Sequence, residues 1–274
     1  MSLFYDIVEG QDFEGFKQWL YTEYKDLFDS NDSLLRTTAK IIGTTRLKAH
    51  SQHSAIIDFL FKKGFKTYWA MLVSCREGFG EDGGVLLRSI FELLVNVYWI
   101  SEKDVDERAR EYVSYDHVLR KRIINNLEKW KPTNQKLLEK YFPIKDQVLK
   151  DFDELEETMK KRRYWSGRDL CAMATDVGLE YDYNFVYRYF SNVVHSSPRS
   201  SLIFLSWEQD SLKFTMFSNE EVMESLFHGY WYMLFILKKW NEVFKCGHNE
   251  TIKEYYEKYA PALEPLPHYT EFLS

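Results

Sequence analysis

The run Val85–Ile100, VLLRSIFELLVNVYWI, narrows the possible folds more than any other segment of this chain. Its apolar residues fall on nearly every side of a 3.6-residue repeat, so as a helix it has to be wrapped by other elements. Its strongly polar members, Arg88, Glu92 and Asn96, are spaced four apart, with Ser89 beside the first. At about 100° per residue, successive members drift by only about 40°, which draws one polar stripe along an apolar rod. Unpaired charges in such surroundings cost several kcal/mol, so the stripe must meet polar side chains, water or a cleft. The run is shorter than a bilayer span and is interrupted by Arg, Glu and Asn, so a core position is expected rather than a membrane one.

A second stripe lies in Phe185–His195, FVYRYFSNVVH. Arg188 and His195 are seven positions apart, nearly two turns, with Ser191 between them. If the two helices pack stripe to stripe, Glu92 is expected to pair with Arg188 or orient His195, and Arg88 to meet Ser191 or a bound anion. As a site, this gives His195 as general acid or base and Arg188 or Arg88 as the stabiliser of negative charge on a phosphate. As architecture, the same residues form a buried polar network that fixes helix register. Sequence leaves both open.

The remaining pattern is helical. Hydrophobic residues make up 45% and aromatics 17% of 274 residues, with only 12 Gly and 6 Pro, which supplies a core and few loops. Helical periodicity predicts an N-terminal helix over 11–28 and a stretch from Ser33 to about Lys63, ended by Gly64 and followed by Phe65–Arg76. Gly78–Gly84 reads as a turn. Further helices are expected over Asp104–Trp130, over Asn134–Arg163 with a break at Pro143, and over Arg168–Val177. Tyr181–His195, Asn219–Phe244 and Asn249–Tyr259 complete the set, and the tail with Pro261, Pro265 and Pro267 reads as extended. Only between 200 and 217 does the period change to two, predicting a β-hairpin. The expected fold is thus an all-α multi-helix bundle of eight to ten helices with one small hairpin. It forms a single domain over 1–274, with a core of 30–245 on which the terminal helices pack.

A net charge of −6 offers no bulk attraction to nucleic acid. The run Lys160, Lys161, Arg162 and Arg163, with Arg168, reads as a solvated helix end. Cys75, Cys171 and Cys246 are too far apart for a disulfide framework or a zinc motif, and no cofactor or metal is expected. His50 and His53, three apart, lack a helical carboxylate to complete a metal site. His117, His228, His248 and His268 are isolated. No leader-like segment opens the chain, so a cytoplasmic protein is expected.

The ordered set Arg88-x-x-x-Glu92, Tyr98-Trp99, Arg108-Ala109, Trp165-x-Gly167, Tyr187 and Ser191-x-x-x-His195 resembles a bacterial family of helical proteins of unknown function, over roughly residues 30–245. Arg188-x6-His195 also resembles the Arg-x4–6-His motif of the HEPN superfamily of helical nucleases and nucleotide-binding proteins. That second resemblance implies metal-independent RNA cleavage at a homodimer. His195 would then be the acid–base group for attack by the 2′-hydroxyl, Arg188 would bind the scissile phosphate, and RNA would be the partner in a toxin or phage-defence setting. The alternative is a non-catalytic helical binding or regulatory module whose Arg88, Glu92 and His195 network is structural.

Overall fold

The computed structural model describes residues 12–45, 51–129, 142–195, 205–208, 211–214, 219–263 and 266–271, together with the isolated positions 136, 139, 198 and 201. Helices dominate. Two N-terminal helices, α1 (Phe13–Glu23) and α2 (Lys25–Thr44), meet at Tyr24, and Asp12 caps the first by accepting from the Gly15 amide at 2.9 Å. A long α3 (Gln52–Arg76) starts from a Ser51–Ser54 capping box. The helix does not end at Gly64, as the residue type had implied. Gly64 sits inside α3, where an added Cβ would reach only ordinary contact with Ile236 and Leu93, so tertiary packing there overrides the terminator signal.

The central apolar run belongs to α4 (Gly80–Glu102), and the expected Gly78–Gly84 turn is correspondingly shorter. Gly78, at φ 81°, makes the turn, whereas Gly80, Gly83 and Gly84 already belong to the helix. By length and composition this 23-residue helix is long and apolar enough to cross a membrane, and 67% of its most apolar window is buried inside the protein. Wrapping by neighbouring helices accounts for that composition. Next come α5 (Val105–Lys129), a 3₁₀ turn at Phe142–Ile144, α6 (Lys145–Asp153), the single turn α7 (Glu157–Lys160) and α8 (Leu170–Asp176). The long arm expected over Asn134–Arg163 is thus broken after Asp153 as well as at Pro143, and most of 134–141 lies outside the described residues.

The segment expected as one helix over Tyr181–His195 is three pieces: α9 (Glu180–Asp182), a π-helical turn at Tyr183–Tyr187, and α10 (Arg188–Val194). Within 200–217 the described residues include two four-residue strands, β1 (Leu205–Glu208) and β2 (Ser211–Phe214), paired antiparallel with Leu205 opposite Phe214. Positions 200, 202–204, 209–210 and 215–217 of that span lie outside the described residues. The chain then enters α11 (Asn219–Phe244), α12 (Asn249–Leu263) and α13 (Pro267–Glu271). The proline tail is therefore partly helical: α12 runs through Pro261, and Pro267 opens α13, where its fixed φ and missing N–H cost little.

The core is a three-helix contact of α3, α4 and α11. Phe61 of α3 stacks on Trp240 of α11 with ring centres 4.6 Å apart, and Phe91 of α4 meets Tyr232 at 5.6 Å. Some buried polar groups there are paired across helices, while Ser225 Oγ and Trp231 Nε1 of α11 have no hydrogen-bond partner among the described residues. Asn31 of α2 donates to the Leu226 carbonyl at 3.1 Å and accepts from the Tyr68 hydroxyl at 2.7 Å, tying α2, α3 and α11 together.

Candidate functional site

The polar stripe of α4 points toward the segment 165–195. Close approach of the two depends on Gly84: a Cβ there would lie 1.9 Å from the buried Phe190 ring of α10, so only glycine lets the helices meet at this distance. Beyond that contact, the Arg88 guanidinium donates to the Tyr187 hydroxyl at 2.8 Å and lies 4.8 Å from the centre of the same ring. Tyr187 in turn donates to Glu92 Oε1 at 3.1 Å, and Arg88 pairs with the same oxygen at 3.2 Å. Burial, the largest influence on it, raises the Tyr187 phenol above its ordinary value, so it stays protonated and serves as a donor. One turn further along, Asn96 accepts from the Trp165 indole at 3.2 Å.

Most of the other patterned residues gather around the same helix. Trp165 packs edge-on against Trp99 (5.3 Å) and Tyr112 (5.0 Å). The buried Arg108 donates to the Trp99 carbonyl and spreads over its ring at 3.6 Å. Trp99 donates to Asp176, which also accepts from Arg168 at 3.2 Å. Arg88, Glu92 and Tyr187, and then Asn96, Trp165, Trp99 and Arg108, thus form two groups of polar–aromatic contacts in line along α4, a polar–aromatic band.

Arg188 and His195 stand apart from this band. The inward edge of segment 180–195 is carried by Asp182, Val186 and Phe190, four apart and buried. Arg188 lies two positions from both Val186 and Phe190, which turns it outward, and it is exposed. His195, the C-cap of α10, is exposed too. The expected pairing of Glu92 with Arg188 or His195 is therefore replaced by Glu92 with Arg88 and Tyr187. Among the described residues Ser191 meets no guanidinium: its hydroxyl donates to the Tyr187 carbonyl at 2.7 Å, one turn back on the chain.

A π-helical turn lies immediately before α10. The Arg188 amide donates to the Tyr183 carbonyl five residues back, which inserts one residue into the helical repeat and offsets everything before it by about 100°. Tyr187, stacked on Tyr183 at 5.2 Å and 18°, is the residue delivered to α4.

The turn is anchored at its start by Asp182, whose carboxylate is fully buried. Asp182 accepts from Tyr232 at 2.6 Å, from Tyr269 and from His268 Nε2 at 2.7 Å, and His228 bonds the Tyr269 hydroxyl at 2.8 Å. Burial pushes this carboxyl upward, but hydrogen bonds from His268, Tyr232 and Tyr269 and the nearby His228 outweigh it and hold its pKa below the usual range. His228 and His268, isolated in sequence, therefore share one cluster with Asp182. No local sequence signal announces it, because its members lie up to 87 positions apart.

The remaining candidates are spread over the surface. His53 faces Ser101 at 3.3 Å, burial lowers its pKa, and His50 lies outside the described residues. Among the described residues no cluster of three or more His, Cys, Asp or Glu side chains is arranged to hold a metal. The basic run lies mostly beyond the end of α7 and is tied into the fold, with Lys160 on Glu157 at 2.9 Å and Arg162 on Glu111 at 2.6 Å. The three cysteines are unpaired.

Comparison with curated proteins and with solved structures returns no match. A family model does match, over residues 54–212, the stretch that holds α3 to α10 and the whole polar–aromatic band. The chain belongs to that family, DUF5677, a family of unknown function.

Proposed function

We propose that this protein is a metal-independent endoribonuclease of the HEPN kind, acting as a homodimer in toxin or phage-defence roles. Arg188 and His195 are its working residues. The observation that carries the reading is their joint exposure on one short helix whose inner side is locked to α4 through Phe190 and the Arg88–Tyr187–Glu92 contact. A cation and an imidazole displayed seven positions apart on a braced helix suit a phosphodiester. In this reading the neutral His195 imidazole takes the proton of a ribose 2′-hydroxyl as its oxygen attacks the adjacent phosphorus. Arg188 neutralises the charge growing on the phosphoryl oxygens. The 5′-oxygen leaves and receives a proton from the imidazolium of the second copy, giving a 2′,3′-cyclic phosphate and a 5′-hydroxyl. Arg88, Glu92 and Ser191 are then positioning residues, since their partners are protein groups.

Incubation of the protein with mixed RNA tests this. His195→Ala and Arg188→Ala are expected to abolish cleavage without changing the melting temperature, because both side chains are exposed. Equal cleavage by wild type and His195→Ala, or cleavage by neither, overturns the reading. The second reading, a non-catalytic helical binding module, is favoured by one observation: Arg88 and Glu92 pair with each other and with Tyr187 within the fold. It predicts no RNA turnover and a loss of stability when those residues are changed.

A further inference from the structure

Phe185 is 65% exposed, the most exposed large apolar side chain among the described residues, and it sits in the π-helical turn. Its ring lies 4.6 Å from that of Tyr181, itself 46% exposed. Tyr181 is braced from behind by the His268 ring at 5.1 Å, and His268 is fixed by its bond to the buried Asp182 at 2.7 Å. The pair is therefore a held aromatic surface rather than two loose side chains. Arg188 follows three positions after Phe185 and Asn184 adjoins it, both exposed, while Glu180 borders the far end beside Tyr181.

We infer that Tyr181 and Phe185 form a stacking platform for unpaired nucleobases of an RNA strand whose phosphate is held by Arg188. This inference rests on the ribonuclease reading and names its substrate as single-stranded. Three features favour this occupant. Exposed ring faces beside a guanidinium are the chemistry by which single strands are bound without sequence readout. Glu180 repels phosphate at the Tyr181 end, which sets the backbone on the Arg188 side. The two rings also expose on the order of 200 Å² between them. That matches bases lying on rings and falls well short of the roughly 800 Å² per partner of a stable protein interface.

The test is fluorescence anisotropy of labelled oligoadenylate, oligouridylate and duplex RNA with the full chain. It is run in the His195→Ala background to prevent turnover, beside cleavage assays of the same platform variants with His195 intact. Binding is expected in the order adenylate over uridylate over duplex, because purines stack more strongly and duplex bases are already stacked. Phe185→Ala and Tyr181→Ala are expected to weaken oligoadenylate binding roughly tenfold each, with Phe185→Tyr restoring it. RNA cleavage with undiminished binding and cleavage by Phe185→Ala overturns the platform and leaves the ribonuclease reading standing. Binding that falls in the ring variants without cleavage by wild type supports the platform and overturns the ribonuclease. Absence of both binding and cleavage overturns both. Concentration-dependent self-association lost in Phe185→Ala, with RNA binding unchanged, assigns the rings to a second copy and overturns the platform.

Discussion

Tyr187 donates its hydroxyl proton to Glu92 across 3.1 Å, joining residues 95 positions apart. The same oxygen accepts from Arg88, so one phenol holds an ion pair of α4 against the end of the π-helical turn. Tyr187→Phe removes both bonds while keeping the ring, and it leaves Arg88 and Glu92 with each other. The expected cost is about 1–2 kcal/mol in chemical denaturation, and Tyr187→Ala is expected to cost more, through lost contact with Phe91 and Tyr183. A Tyr187→Phe variant as stable as wild type would show that the band does not hold α10.

Gly84→Ala adds one methyl group where Phe190 leaves no room. Overpacking of this kind costs about 1–3 kcal/mol. It is expected to displace α10 and to lower RNA cleavage more than Gly43→Ala, where an added Cβ meets nothing within 4 Å. Equal stability of the two variants, measured by thermal melting, would contradict the close approach.

Glu81 is buried in the first turn of α4 with its Oε2 unpartnered among the described residues. Burial, reinforced by Asp82 and Glu221, pushes its carboxyl up from 4.5 to about 7. The folded chain thus holds a proton over that window which the unfolded chain has released, and stability falls as pH rises from about 4.5 to 7. Glu81→Gln is expected to match wild type near pH 4.5 and to exceed it at pH 8 by on the order of 3 kcal/mol. A difference that does not change with pH would rule this out.

Asp182 works in the opposite direction. Its folded pKa is held below the ordinary 3.8, so its contribution is present above that value and is lost as pH falls through it. Its neighbours are His268, His228, Tyr232 and Tyr269, with Glu224 reaching His228 at 3.2 Å. Asp182→Ala leaves these groups unmatched and is expected to cost about 3–5 kcal/mol at pH 7, with a smaller deficit in acid. A pH-independent deficit would mean that the carboxylate charge is not what the cluster uses.

The central helix was legible because an all-round apolar run with four-spaced polar residues has few places to go, and Arg88, Glu92 and Asn96 do share one working edge. Their partners were not. Phe190 faces α4, so Arg188, two positions earlier, turns away from it and Tyr187, three positions earlier, comes alongside. Glycine signals misled in two places: Gly84 serves close packing between helices rather than chain reversal, and Gly64 lies within α3 where an added Cβ would make only ordinary contact. The Asp182 cluster had no local signature at all, since a buried carboxylate needs donors from anywhere in the chain, here from α11 and α13.

The most direct measurement is the chemistry of the RNA ends left after incubation of single-stranded RNA with the protein in excess chelator. Mass spectrometry is expected to find 2′,3′-cyclic phosphate and 5′-hydroxyl ends with wild type, and intact RNA with a folded His195→Ala. Ends of any other kind, or the same ends in equal yield from His195→Ala, would contradict the assignment of Arg188 and His195 to phosphodiester cleavage.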